Sequence, residues 1–319
     1  MKAYLSRFLG VVAAAAAFAA SAQTFPTKPV TLVVPWPPGG RTDLTARLTA
    51  QYMGSALGQP VVVINQTGAS GVAGAKKVTN AAPDGYTLGM FSSGVVATQY
   101  TVPAPSDLKD YEPVALINRD AATVAVSSAT PYKTLDDLVS HAKRNPGKVR
   151  LGTGIGTSAH LMSALFERAA AIRFLIVPYG GGGGRSAALA GNHIEVDVDV
   201  PAIYKSLVEA GKVRLLGLGA ERRSNLYRDL PTLKEQGIDC VMGTWNAIFA
   251  PRGTPASVLA VLDRATARTA QDPAFVEAMH KSFLEVQYIG RDDFGAFLKK
   301  EDASIRNLVK ELNLQPVSK

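Results

Sequence analysis

An α/β protein of two domains is what this sequence predicts, and three observations carry the prediction. Apolar runs of strand length alternate with segments of helical spacing along most of the chain, the pattern that lays helices on parallel sheets. At 319 residues the chain has room for two domains of ordinary size, roughly 100–200 residues each. Three glycine-rich turns, VTLVVPWPPGGRTD (30–43), VVVINQTGASGVAG (61–74) and VRLGTGIGTSAHL (149–161), each follow an apolar run and precede a helical segment. A helix that starts on such a turn leaves backbone N–H groups pointing outward, and its dipole adds partial positive charge there. Three such turns suggest a site that grips an anion from more than one side.

The elements follow in order. Residues 30–34 form an unbroken apolar run, as in a buried parallel strand. Residues 43–57 carry Leu44, Leu48, Met53 and Leu57 at helical spacing, and Gly58 ends the helix. A strand at 61–64 leads to a small-residue helix at 72–81, stopped by Pro83-Asp84-Gly85. Residues 87–91 are a third strand. Past 103–110 the register changes, and strands at 112–117 and 123–126 flank a crossover. Thr134 opens a helix over 134–145, with Asp136 and Asp137 in its first turn and Pro146-Gly147 beyond it. Strands then fall at 150–153, 174–178, 194–200, 214–219 and 245–250. Helices fall at 158–170, 186–190, 202–210, 255–270, 273–281 and 292–312. No solenoid-length repeat is present.

The N-terminus reads as an export signal. Lys2 and Arg7 precede an apolar run at 8–20, and Ala20-Ser21-Ala22 fits the small-x-small cleavage rule, so residues 1–22 are removed before Gln23. The run is shorter than the ~20 residues a bilayer span needs, and the expected address is the periplasm. The formal charge is +8, but the basic residues lie in scattered pairs without interleaved aromatics, which disfavours nucleic acid. Cys240, the only cysteine, sits in the apolar stretch GIDCVMG and reads as a buried structural thiol. His141, His160, His193 and His280 are scattered, and neither G-x-S-x-G nor H-E-x-x-H occurs. The chain therefore reads as a non-enzyme, with neither catalytic residues, metal nor cofactor expected. The C-terminal helices show no heptad run, so a monomer is the default expectation.

The ordered set PWPPGG-x-TD, TGASGVAGAKKV, APDGYTL, NPGKVRLGTGIGTSAHL, IVPYGG, EAGKVRLLGLGAERRS, LPTLKEQGI and TWNAIFAPRGTP resembles the extracytoplasmic solute receptors of tripartite tricarboxylate transporters, the Bug receptors. The resemblance covers almost the whole chain after the signal. It implies a type II periplasmic-binding-protein (flytrap) fold with the ligand cleft between two domains, residues 23–122 plus 245–319 and residues 123–244. It implies a small organic anion as ligand (a dicarboxylate, amino acid or aromatic acid), held by backbone N–H groups and hydroxyls, often without a salt bridge. It also implies membrane permease subunits as partners; a sensory receptor presenting its closed form to a signalling protein is the alternative.

Candidate contact residues follow from the turns and the resemblance together. The first turn offers Gly39, Gly40 and the Thr42 hydroxyl, with Trp36 as a cleft wall. Asp43 is expected to cap the helix rather than face an anion. Arg41 either pairs with a second carboxylate or, the preferred reading, faces solvent. Gly68, Ala69, Ser70 and Gly71 form the second turn, with ligand contact and tight packing equally supported; Ser92 and Ser93 end the third strand. Thr153, Gly154, Gly156, Thr157 and Ser158 form the third turn, and His160 reads as a satisfied helix residue. Its G-x-G-x-G spacing is neither a dinucleotide loop nor a P-loop. Tyr179 leads the run Gly180–Gly184, where the family usually has a Lys after the Tyr, so Gly180 gives close backbone approach in a looser loop. Asp197 and Asp199 alternate with valines and share one face. Asp199 either holds a ligand ammonium, ring N–H or hydroxyl, or is a structural group.

Overall fold

The computed structural model describes residues 25–102 and 106–314; the expected signal, residues 1–22, lies outside them. Eleven strands are present among the described residues: β1 Val30–Val34, β2 Val61–Asn65, β3 Thr87–Ser92, β4 Tyr111–Ala121, β5 Thr123–Ser127, β6 Arg150–Thr153, β7 Leu175–Pro178, β8 Val196–Asp199, β9 Val213–Leu218, β10 Gly243–Pro251 and β11 Val286–Ile289. They form two sheets, one in the order β11-β4-β10-β3-β1-β2 and the other β7-β6-β8-β5-β9. Each sheet is the centre of a lobe.

Parallel pairing was the expectation, and it holds only in part. β1 runs parallel to β2 and β3, and β6 runs parallel to β7 and β8. β10 is antiparallel to β3 and β4, β11 to β4, and β5 to both β8 and β9. The chain connectivity is the cause. It leaves the first lobe through β4 into β5 and returns through β10, so the two crossing strands must run in opposite directions. At the crossing, the Ala122 N–H donates to the Met242 carbonyl (2.8 Å) and the Gly219 N–H to the Ala122 carbonyl (2.7 Å).

Two elements escape the sequence pattern. The helix Gly94–Thr101 buries Gly94, Val95, Val96, Ala97, Thr98 and Thr101, leaving too little polar face for a helical period to show. β11 is a four-residue edge strand, too short to read as alternation. The helix expected from Thr134 starts as predicted. Thr134 Oγ1 accepts from the Asp137 N–H (3.1 Å), and the Asp137 carboxylate accepts from the Thr134 N–H (2.9 Å), a closed capping box. Cys240 is buried, and that burial pushes its thiol up to about 11.

Under the crossing strands lies a buried polar network. Asn246 on β10 donates to Asn118 Oδ1 (2.9 Å) and Thr45 Oγ1 (3.1 Å), and accepts from the Thr42 hydroxyl (2.9 Å). Asn118 donates to the Asp120 carboxylate, which also accepts from the Glu285 N–H (2.8 Å). Burial and the nearby Glu285 charge push Asp120 up from 3.8 to about 7, against the Glu285 N–H, Arg41 and Asn118.

Two predictions follow from this packing. A Cβ on Gly74 would stand 2.5 Å from the Gln66 carbonyl and 2.6 Å from Pro35 Cα, and backbone cannot yield as a side-chain tip does. Gly74→Ala is expected to lower stability by about 1–3 kcal/mol, read from the urea midpoint. A carboxyl whose folded pKa lies above its unfolded one loses stability as pH rises between the two values. For Asp120 that window runs from about pH 4 to about pH 7, with a slope of up to ~1.4 kcal/mol per pH unit. The stability of Asp120→Asn relative to the native protein should therefore climb across this window in urea titrations; a constant difference would contradict the assignment.

Candidate functional site

A cleft of about 490 Å³, its open mouth included, lies between the lobes and is lined from both. Three helices begin on it, Arg41–Leu57 from the first lobe and Ser158–Ala170 and Gly182–Ala190 from the second, and Ser92 at the end of β3 lines it beside them. Each start exposes first-turn N–H groups that no intrahelical carbonyl can meet, with the positive end of the helix behind them. The walls between are apolar or small: Trp36, Pro37, Ala159 and the glycines Gly40, Gly154, Gly180, Gly181 and Gly182. Such a cavity suits an oxyanion attached to a compact organic body.

The glycine run is divided between turn and helix. Gly182, Gly183 and Gly184 already belong to the helix Gly182–Ala190, which was expected to begin at 186. Glycine weakens helices, so its use here has a positional reason. A Cβ on Gly181 would stand 2.9 Å from the Pro37 ring, and one on Gly183 would stand 3.0 Å from the Pro38 carbonyl. Bare backbone lets this helix start reach the loop opposite. Two hydrogen bonds join the lobes beside it, Ser70 Oγ to the Ile155 carbonyl (3.0 Å) and Thr101 Oγ1 to the Gly156 carbonyl (2.7 Å).

The cleft wall carries charge as well. Arg185, 3% exposed, sits between Asp197 and Asp199 at the end of β8. Its Nε donates to Asp197 Oδ1 (2.9 Å) and its Nη2 to Asp199 Oδ2. Burial alone would lower the guanidinium's pKa, but the two carboxylates outweigh it and the net direction is up. Burial raises Asp197 despite Arg185. Asp199 also faces Arg41 across the cleft, 3.8 Å from its Nε.

Of the residues expected at the ligand, Trp36, Gly40, Thr42, Ser92, Gly154, Thr157, Ser158, Gly180 and Asp199 line the cleft. The Thr42 hydroxyl is turned inward to Asn246, so its backbone is what faces the cavity. Gly39, Ser70, Thr153, Gly156 and Tyr179 do not line it. The Gly39 N–H is taken by the Asp43 carboxylate (2.9 Å), Ser70 joins the lobes, and the Gly156 N–H donates to His160 Nδ1 (3.3 Å). Thr153 is fully buried, and Tyr179 packs against the apolar core. The second turn thus props the wall: Gly71 lies against the Trp36 indole, where a Cβ would come within 3.2 Å. Asp43 lies in the helix's first turn, whose N-cap is Gly40, and reaches back to Gly39.

Arg41 corrects the solvent-facing reading. It is the first residue of its helix and 7% exposed, because the crossing strand β10 closes over it. Arg185 was missed. The signal for it was IEVDVDVP itself, since two carboxylates on one face of a central strand demand a buried cation.

Removing that cation should be costly. Arg185→Ala would leave Asp197 without its ion pair and Asp199 with only Arg41, 3.8 Å away, an expected loss of about 3–5 kcal/mol at pH 7 in urea unfolding. The loss should shrink as pH falls and the carboxylates take up protons.

The arrangement has known counterparts. Residues 45–314 match the family model of the tripartite tricarboxylate transporter family receptor. The protein BugT of Bordetella pertussis is 33% identical over 279 residues, 85% of each chain. The Rhodopseudomonas palustris protein Rpa4515, solved with adipate, superposes with a TM-score of 0.88 at 29% identity over 92% of this chain and all of that one. MatC from the same organism, solved with bound malate, gives 0.82 at 27% identity over 89% of this chain and all of that one. Matched by the family model over most of its length and sharing the two-lobed flytrap architecture, the chain belongs to the tripartite tricarboxylate transporter receptors, the Bug family of periplasmic solute-binding proteins.

Proposed function

We propose that this protein is a non-enzymatic receptor that captures a small carboxylate by closing its two lobes and delivers it to the membrane permease of a tripartite tricarboxylate-type transporter. The observation that carries the reading is the meeting of three helix N-termini, one from the first lobe and two from the second, on one cleft. Trp36, Gly40, Thr42, Ser92, Thr157, Ser158 and Gly180 hold the ligand, joined by Gly181 and Gly182. Adipate and malate, the acids in two structures of the same fold, are both compact dicarboxylates.

The binding free energy comes from N–H donors fixed in place before the ligand arrives. In a closed cleft each such bond acts in a lower dielectric than water. A ligand meets both sets of donors only when the lobes are together, so binding shifts the population toward the closed form. The domains that move are residues 23–122 plus 245–319 and residues 123–244, a division supported by the membership of the two sheets. Export to the periplasm and a monomeric state belong to the same proposal.

A thermal-shift screen tests it. The purified protein is unfolded and refolded to strip any retained acid, then offered dicarboxylates, citrate, amino acids, nicotinate and aromatic acids. A binder at about 100 times its dissociation constant adds roughly 2.7 kcal/mol and a clear rise in melting temperature, with the acid recovered unchanged. No shift with any acid, on protein that refolds cooperatively, would count against the carboxylate reading; turnover of the acid would count against the receptor reading.

A further inference from the structure

Among the described residues, the cleft holds one cation that the protein matches only in part. Arg41 is buried where the cavity meets the crossing strands, yet its Nε has no hydrogen-bond partner. Its Nη1 reaches only the Trp245 carbonyl, at 3.4 Å. The Asp199 carboxylate stands 3.8 Å from its Nε, but Arg185 holds Asp199 Oδ2 and the Val200 N–H donates to Oδ1 (2.8 Å). Burial works to lower the Arg41 pKa, with Asp199 and Asp120 opposing it. A guanidinium does not shed its proton in a protein, so it stays charged with most of its fork unmet. The helix that starts on Arg41 adds its positive end at the same point.

We propose that Arg41 is the specificity-determining residue of the cleft, its guanidinium fork pairing with a second carboxylate of the ligand. The inference rests on the carboxylate-receptor reading and deepens it. A planar carboxylate matches the fork with two parallel hydrogen bonds and supplies the charge that Asp199, already shared, does not. The same geometry selects against an ammonium group. Asp199 is the carboxylate on the cleft wall that would receive it, and Arg41 and Arg185 both stand against Asp199. An ammonium there would displace one guanidinium from its counter-ion and sit beside the other. The cleft therefore prefers a dianion without an amine, and of the two roles open to Asp199 this leaves the structural one.

Calorimetric titration of the refolded protein with matched pairs tests the proposal. Adipate against monomethyl adipate removes one charge at nearly constant shape. Malate against aspartate exchanges a hydroxyl for an ammonium. The native protein should favour the diacid of the first pair and malate in the second by about tenfold or more. In Arg41→Gln the adipate preference should collapse to within about threefold, with the ester's affinity little changed. Arg41→Lys, which keeps the charge but not the fork, should restore part of it. Circular dichroism and melting curves establish that both variants are folded; should neither fold, the native protein's two preferences decide the matter. Equal affinity of the native protein for adipate and its ester, or an unchanged preference in Arg41→Gln, would overturn the assignment of Arg41 while leaving the receptor reading intact. Binding of neither diacid nor ester, nor of any acid in the screen, would overturn both.

Discussion

The ion cluster around Arg185 is the constraint on which the rest of the cleft depends. β8 is the middle strand of its sheet, with Asp197 and Asp199 at its end, a place where isolated carboxylates would carry a heavy desolvation penalty. Arg185 answers both at once from the first turns of the helix Gly182–Ala190. In doing so it fixes where that helix starts, and so where Gly181 and Gly182 present their backbone. It also holds Asp199 facing Arg41 of the other lobe. One guanidinium thereby sets the chemistry of the second lobe's wall and the position of the counter-ion for the first lobe's cation.

Rigidity and mobility are divided along the same lines. The crossing strands share the fully buried network of Asn246, Asn118 and Asp120, whose polar groups would be stranded if the strands separated. The contacts between the lobes away from the crossing strands include the Ser70 and Thr101 hydroxyls on the carbonyls of Ile155 and Gly156 and the exposed Arg168–Glu311 pair (2.9 Å). A hydrogen bond exchanged with water nets only about 1 kcal/mol, whereas a buried polar group left unpaired costs about 1–3 kcal/mol. Separating the crossing strands would therefore cost more than breaking the contacts away from them, and in the receptor reading proposed above a bound anion that touches both lobes would have only a small preference to tip.

Glycine does two jobs in this cleft. At Gly181 and Gly183 it removes side chains where one lobe's backbone meets the proline loop of the other. At Gly71 it makes room for the Trp36 indole and so holds an aromatic wall upright. The Gly71 turn reads as an anion cradle in the sequence, yet its job is packing. A turn made for close approach and a turn made for binding use the same residue for the same reason, the missing Cβ.

The sequence by itself determined the α/β class, most strands and helices, the crossover near residue 122 and the family. Apolar runs, capping residues such as Thr134 and turn glycines act over a few residues and leave local marks. It also marked nine of the residues that line the cleft, among them Trp36, Gly40 and Ser158. Only the tertiary structure decided the rest. The mixed strand directions come from the path of the chain between lobes. The helix Gly94–Thr101 hides its period by being buried on most sides. Arg41 is a cleft residue because β10 closes over it, and Arg185 is a counter-ion because β8 places two carboxylates beside it. Charge pairing and burial depend on distances in space between residues far apart in the chain, and no local pattern carries that information.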